Sequence, residues 1–428
     1  MQLPIHTHTL ANGLRLTISQ DRTAPIVAVN LWYHVGSANE RPGRTGFAHL
    51  FEHMLFQGSE HVAANEHFEL VQRAGGTLNG STWIERTNYY ETVPSHQLPL
   101  VLWLEADRMG RLLPAMTQEK LDTQRDVVKN ERRWSVDNQP YGTWWERLPA
   151  LTFPQDHPFH HSLMGSMEDL DAATLDDVKG FFSTWYTPDN AVLSIVGDTD
   201  VGETVELVEK MFGSIPRGSG RPPMPDPHVP PRFGDWRRET VPDDVMVPRL
   251  FLAFRSPPFG APLYHTAMIV AAVLGNGKGS RLYERLVRER QLATSVSAFS
   301  FDLTQGSDLL VVDATAHPQV DAVTLEQAVA SEIDTLVRDG CSAAEVERAI
   351  TLTATEFVTS MQSAQARADR LSQYATYHGD PRIVNAQVGL LQAVGAPAVS
   401  RFAQEWLGTD NRASLVYVPR EAKHEEAA

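Results

Sequence analysis

The chain has one cysteine, Cys341, in 428 residues, so no internal disulfide can hold it together, and one thiol does not settle the redox compartment. It has no long apolar run. The stretch Met268–Leu274 is far too short to cross a bilayer, so no membrane association is expected. It lacks an excess of positive charge: 37 Lys and Arg against 53 Asp and Glu give a net charge of −16, which argues against a nucleic-acid partner. The first twenty residues lack a charged start followed by an apolar core. No signal peptide is therefore expected, and the expected location is cytoplasmic, with periplasmic the alternative if a leader has been removed. What is present is ample material for cores, 42% hydrophobic residues, in a length that implies two or more domains.

The most informative segment is His49-Leu50-Phe51-Glu52-His53. On a helix, His49 and His53 lie one turn apart on one face, the spacing at which two imidazoles hold one zinc ion. Glu52 falls between them, close enough to handle the proton of a metal-activated water. The order H-x-x-E-H reverses the commoner H-E-x-x-H and marks the inverzincin metallopeptidases. The flanks support a helix. Phe47, Leu50, Phe51, Met54 and Leu55 form an apolar stripe at i, i+3, i+4, i+7 and i+8, roughly opposite the two histidines and the glutamate. Thr45 is the expected N-cap and Gly58 the expected stop.

A zinc site needs a third protein ligand and an open fourth position. The segment from Thr117 to Trp134 reads as a helix, with Leu121, Val127, Val128 and Trp134 as its apolar positions. Glu131 follows Val127 and Val128 by four and three residues. That places it near a buried face, where a carboxylate is costly unless paired or metal-bound. Surface helices are rich in glutamates, and the helix alone does not single this one out.

The chain reads as two versions of one unit. Phe182 to Val196 and Phe402 to Val418 each run from a helix end through an Asp-Asn turn into an apolar strand, and Asn190 and Asn411 set the repeat at 221 residues. Apolar strands at Ile26 to Val35 and Val247 to Phe254 open the two halves. The expected fold class is α+β: two domains, each a mainly antiparallel sheet with helices on one face. The expected boundaries are 1–214 for the N-terminal metal-binding domain, 215–245 for a Pro/Gly-rich linker and 246–428 for a homologous domain without a metal site. Thr77 to Ile84 and Thr87 to Val93 read as two strands joined by a polar turn. The cluster His157, His160 and His161 reads as a proline-containing surface loop.

HLFEHMLFQGS, followed 78 residues after His53 by Glu131 in QRDVVKNERRW, resembles the insulinase-type metallopeptidases, which include pitrilysin and the mitochondrial processing peptidase. The stretch Gly75 to Thr82 resembles that family's glycine–asparagine segment beside the active site, and the likeness runs through the second half of the chain. The resemblance implies one zinc ion per chain, held by His49, His53 and Glu131, with Glu52 as general base. It implies two halves paired like a clam around a chamber. It also implies a peptide substrate added as a strand along Leu78, Asn79, Gly80, Ser81 and Thr82, with Asn79 near the scissile bond. The family often has a second glutamate seven residues before the ligand, supporting the metal from outside its coordination shell; Gln124 stands there in this chain.

A second departure is larger. Family members carry an arginine and a tyrosine, seven residues apart in the C-terminal half, that stabilise the oxyanion. The segment Ser280 to Val296 aligns to that stretch without gaps, and the two positions hold Val287 and Thr294. Arg288 is one residue out of register, about 100° around a helix. Some bacterial members divide the work between two subunits. The expectation is therefore a zinc endopeptidase subunit that requires a homologous partner bearing the arginine–tyrosine pair. The alternatives are a non-catalytic structural subunit of the same fold, and a self-sufficient homodimer in which another basic residue serves.

Overall fold

The computed structural model describes residues 2–420 except residues 221 and 223–225. Strands and helices are interspersed along the chain, and two sheets form. The first contains β1 (His6–Thr9), β2 (Arg15–Gln20), β3 (Ile26–Tyr33), β4 (Thr77–Thr82), β5 (Thr87–Pro94) and β6 (Ala191–Gly197), in the spatial order β1-β2-β6-β3-β5-β4. The second contains β7 (Trp236–Asp243), β8 (Arg249–Ser256), β9 (Ala293–Ser300), β10 (Asp308–Ala316) and β11 (Arg412–Pro419), in the order β7-β11-β8-β10-β9. Each sheet is antiparallel except at one pair, β2 with β6 and β7 with β11. The second sheet thus repeats the first without β1, and β4 and β9 are equivalent edge strands.

Period-two alternation decides what each face meets. From β3, Val27, Val29, Leu31 and Tyr33 are fully buried in a core shared with α1 (Phe47–Met54), α2 (Glu66–Arg73), α3 (Leu98–Arg111) and α4 (Gln118–Arg132). From β8, Leu250, Leu252 and Phe254 face the second core, built with the helices Tyr264–Gly275 and Ala322–Asp339. The α+β reading with mixed, mainly antiparallel sheets packed on helices is the observed architecture.

The opposite face of each sheet is also covered, by one helix. Asn30 and Trp32 of β3 turn toward the helix Ala364–His378, whose Asp369 accepts hydrogen bonds from Asn30 Nδ2 at 3.2 Å and Trp32 Nε1 at 2.9 Å. In the second sheet, Phe251 stacks on Trp144 of α5 (Trp144–Thr152), centroids 4.5 Å apart at 6°. Arg255 Nη2 donates to the Thr152 carbonyl at 2.9 Å. Each covering helix comes from the other half of the chain, at nearly the repeat offset. The compact units are consequently discontinuous: Met1–Arg132 with His161–Pro225 and Val358–Gln387, and Arg133–His160 with Asp226–Phe357 and Val388–Ala428. Contiguous boundaries at 214 and 246 do not describe them. Residues 236–243, expected in the linker, are β7, held by parallel pairing with β11.

The repeat has a geometric meaning. Asn190 Nδ2 donates to the Trp185 carbonyl at 2.7 Å and to that of His34 at 3.3 Å. Asn411 Nδ2 donates to the Trp406 carbonyl at 2.7 Å and to that of Arg255 at 2.9 Å. Each amide ties a helix end to a neighbouring strand just before the strand with the parallel pairing begins.

Candidate metal centre

Phe47, Leu50, Phe51, Met54 and Leu55 are all buried, and His49, Glu52 and His53 lie on the other face of α1. The helix starts at Gly46, whose φ is +84, a left-handed conformation that costs glycine little. Thr45 does not cap it. The Thr45 hydroxyl donates instead to Asp169 Oδ2 at 2.6 Å, and capping falls to a remote carboxylate, Glu40, described below. The helix ends at Met54, and Gly58 turns the chain beyond it with φ +90.

Glu131 sits one residue before the end of α4, where the next turn widens to a π-type turn over Arg133–Asp137. Leu121 and Val128 bury the core side of α4, whereas Val127 and Trp134, expected as apolar anchors, are exposed. Glu131 Oε1 is 3.8 Å from His49 Nε2 and Oε2 is 3.1 Å from His53 Nε2. One ligand atom from each of the three residues lies within 4.8 Å of the other two. A tetrahedral zinc with bonds of about 2.0–2.1 Å sets its ligands roughly 3.3 Å apart. Two imidazoles and one carboxylate at this separation fit that ion with little movement.

Electrostatics favour the ligating forms. Burial, and next the neighbouring His53, lower the His49 imidazole to about 4, opposed by Glu131, so His49 is neutral at ordinary pH. A hydrogen bond from His53 holds the Glu131 carboxyl below its usual range despite partial burial. Glu52 is pushed the other way: burial raises its carboxyl, opposed mainly by the Thr82 hydroxyl, which donates to Oε2 at 2.6 Å. A buried carboxyl with a raised pKa beside metal ligands suits proton transfer.

The β4–β5 hairpin forms the wall over α1. A Cβ on Gly80 would stand 3.2 Å from Glu52 Cγ and from the Phe56 ring, so glycine lets the strand approach the carboxylate closely. Trp83 N donates to the Arg86 carbonyl at 2.8 Å and closes the turn. In that register Thr77, Asn79 and Ser81 bond to β5, while Leu78, Gly80 and Thr82 direct their backbone groups to the free edge. The side chains are already engaged: Ser81 Oγ donates to Asn88 Oδ1 at 2.6 Å, and Asn79 Oδ1 accepts from the Gly80 N–H at 2.9 Å. A cleft of about 360 Å³ opens between hairpin and helices, lined by Glu52, His53, Phe56, Phe68, Asn79, Gln124 and Val127. Gln124 is buried and borders this cleft, about two helical turns before Glu131.

The arginine and tyrosine positions offer no substitute. Val287 packs against the second core, and Thr294 Oγ1 makes a 3.4 Å contact with the Thr315 carbonyl at an exposed strand start. Arg288 is engaged by Glu284 at 2.6 Å.

The three histidines near residue 160 do lie in a loop, but they are buried or half-buried rather than on the surface. His157 is 5% exposed, its Nε2 paired with the Pro227 carbonyl at 2.9 Å, and His160 Nδ1 meets the Phe153 carbonyl at 2.9 Å. His161 pairs with Glu40 at 3.0 Å. No sequence period marks these contacts, because each partner is remote in the chain or a backbone carbonyl.

Sequence reasoning also passed over a second trio, His67, Glu91 and Glu105, whose potential ligand atoms lie within 4.8 Å of one another. Arg108 already occupies this buried group, contacting Glu105 and lying 3.8 Å from Glu91. Burial, and then the Glu105 charge, drive the Glu91 carboxyl well above its usual range. One proton on the two carboxylates and one guanidinium leave the cluster neutral, so it needs no cation.

Two imidazoles one turn apart, a carboxylate from a second helix and a further carboxylate beside them, steadied by Thr82, make this a candidate mononuclear metal centre in an α+β chain of two repeated units. Comparison with known proteins gives the family. Residues 15–165 match the insulinase family, peptidase family M16, and residues 172–353 match the peptidase M16 inactive domain. The zinc protease PqqE of Helicobacter pylori is 30% identical over 376 residues, 87% of this chain and 84% of that protein. An Arabidopsis thaliana protein named "Probable mitochondrial-processing peptidase subunit beta" is 26% identical over 410 residues, 93% of this chain and 75% of that one. The crystal structure of a protease from Helicobacter pylori superimposes with a TM-score of 0.91 at 27% identity, covering 97% of this chain and 100% of the other. The chain belongs to the insulinase (M16) family.

Proposed function

We propose that the chain is a zinc-dependent endopeptidase subunit, completed by a homologous partner that supplies the arginine–tyrosine pair. The observation that carries this reading is the convergence of His49, His53 and Glu131 within 4.8 Å, with Glu52 lining the same cleft. Zinc, when bound, supplies Lewis acidity to a water and to the scissile carbonyl.

The chain's own residues do the rest. Glu52 takes the proton of the attacking water and returns it to the departing amine, its carboxyl tuned by burial and steadied by Thr82. The free edge of β4 pairs an extended peptide through Leu78, Gly80 and Thr82, which sets the scissile bond against α1. Asn79 releases the Gly80 N–H as the peptide arrives. Val287 and Thr294 cannot stabilise an oxyanion by charge or by a phenol, which is the reason for the partner. Names among the relatives support both parts: several are zinc proteases, and one is called a subunit.

The test is peptide cleavage by the zinc-loaded chain, with an arginine–tyrosine-bearing homologue added or withheld and Glu52→Gln as control. Cleavage that requires the homologue and vanishes in the control supports the proposal. Full activity without it removes the partner, and zinc uptake without cleavage under any condition makes the chain a structural subunit.

A further inference from the structure

The start of α1 is held from outside the helix. Its N-cap, Gly46, has no side chain to offer, and its first turn carries no acidic residue. Glu40 takes over both functions. Its carboxylate is completely buried; Oε2 accepts the Gly46 N–H and Oε1 the Ala48 N–H, each at 2.8 Å. Two of the helix's orphan donors are satisfied by one bidentate anion at the positive end of the dipole. Ala48 directly precedes His49, so this clamp lies one residue from the first imidazole.

A buried carboxylate is stable only if compensated. His161 supplies the compensation: its Nε2 lies 3.0 Å from Glu40 Oε2, and its ring also bonds the Ser37 carbonyl. The carboxylate and the carbonyl both favour the charged imidazolium, while burial opposes it. The segment that follows is docked on the same helix start. A Cβ on Gly46 would stand 2.5 Å from the Met164 carbonyl oxygen, and the Ser166 N–H donates to Thr45 Oγ1 at 3.0 Å.

We propose that Glu40 and His161 form a positioning pair that sets the direction of α1 and so the aim of His49, Glu52 and His53. The inference rests on the metal-centre reading above. His53 lies about 10 Å along the helix from Gly46, so a tilt of roughly 10° at the clamp displaces it by about 1.8 Å. That exceeds the tolerance of roughly 0.5 Å for a metal or catalytic constellation. His161 is a positioning residue; it touches neither metal nor substrate.

The test compares the full chain with His161→Ala, His161→Gln and Glu40→Gln. Three quantities are read: affinity for zinc by chelator competition, the visible ligand-field spectrum of the cobalt-loaded protein, and melting of the metal-free form. His161→Ala is expected to weaken zinc binding about tenfold or more and to shift the cobalt bands. His161→Gln keeps a donor toward Glu40 and is expected to restore most of both, although the two variants melt alike without metal. Unchanged cobalt bands and zinc affinity in His161→Ala would overturn the inference. So would losses that simply follow melting temperature across all three variants. A wild-type chain that takes up no cobalt overturns the metal-centre reading and this inference together, whereas cobalt uptake without cleavage overturns only the peptidase reading.

Discussion

The Thr82 hydroxyl donates to Glu52 Oε2 at 2.6 Å, a bond from the last residue of β4 to the carboxylate between the two histidines of α1. It links the peptide-pairing edge to the group that moves the proton. Thr82→Val keeps the shape and the strand preference but removes the donor. The loss of one charged hydrogen bond, about 1.5 kcal/mol or more, predicts a fall in kcat of roughly tenfold with KM little changed. Steady-state kinetics of the assembled enzyme check this; an equal rise in KM would mean that Thr82 serves substrate binding instead.

Ligation and proton transfer separate by substitution. Glu52→Gln is expected to retain one zinc per chain and to lose about 10²–10⁴ in kcat, the usual worth of a general base. Glu131→Gln removes the anionic ligand and is expected to lose the zinc itself. Metal analysis after dialysis distinguishes the two, and chelator treatment of the wild type should reproduce the Glu131→Gln result reversibly.

Asp369 is predicted to act on substrate binding at a distance. It accepts from Asn88 Nδ2 at 3.3 Å, and Asn88 Oδ1 in turn receives Ser81 Oγ at 2.6 Å and Arg86 Nη1 at 3.2 Å. Arg86 Nη1 also donates to the Ser81 carbonyl at 2.9 Å. The hairpin edge is thereby tied to a helix from the far end of the chain. Asp369→Ala removes the acceptor of Trp32 Nε1 and Asn30 Nδ2 and leaves Asn88 Nδ2 with Asn30 Oδ1 at 3.1 Å. The expected result is a KM raised roughly tenfold, as for a lost charged network, with zinc content unchanged. Zinc loss in this variant would show that the helix supports the metal centre rather than the edge strand.

What could be read in the chain was local. The stripe Phe47, Leu50, Phe51, Met54 and Leu55 announces α1, and the H-x-x-E-H spacing announces the face that carries the ligands, because both depend only on helical period. The hairpin Thr77 to Val93 is equally local. Glu131 required the family resemblance, since nothing in its helix separates it from other glutamates. The rest depends on contacts between distant segments. Thr45 has the chemistry of an N-cap, yet Asp169 takes its hydroxyl and Glu40 does the capping. The histidines at 157, 160 and 161 read as surface residues because their partners are remote or backbone. The exchanged helices have no sequence signature beyond the 221-residue repeat itself, which says that the halves are alike but not that each lends a helix to the other sheet.

Glu91 yields a prediction about stability and pH. It is 1% exposed on β5, opposite Leu78, and burial and Glu105 raise its carboxyl well above the usual range while Arg108 opposes the shift. A folded-state pKa above the unfolded value means that the native protein holds the extra proton. Its stabilising contribution is complete below the unfolded pKa, about 4.5, and is lost as pH rises through the raised folded value. Glu91→Gln makes the neutral form permanent, and the amide can donate toward the carboxylate of Glu105. The variant should match the wild type near pH 5 and gain on it as pH rises above the usual carboxylate range, by roughly 2–4 °C in Tm if about 1 kcal/mol is recovered. Melting curves of both proteins across that range decide it. A constant offset would mean that Glu91 keeps its charge when buried. A variant that loses ground as pH rises would mean that Arg108 depends on that charge, and that the cluster is held as an ion pair rather than by a shared proton.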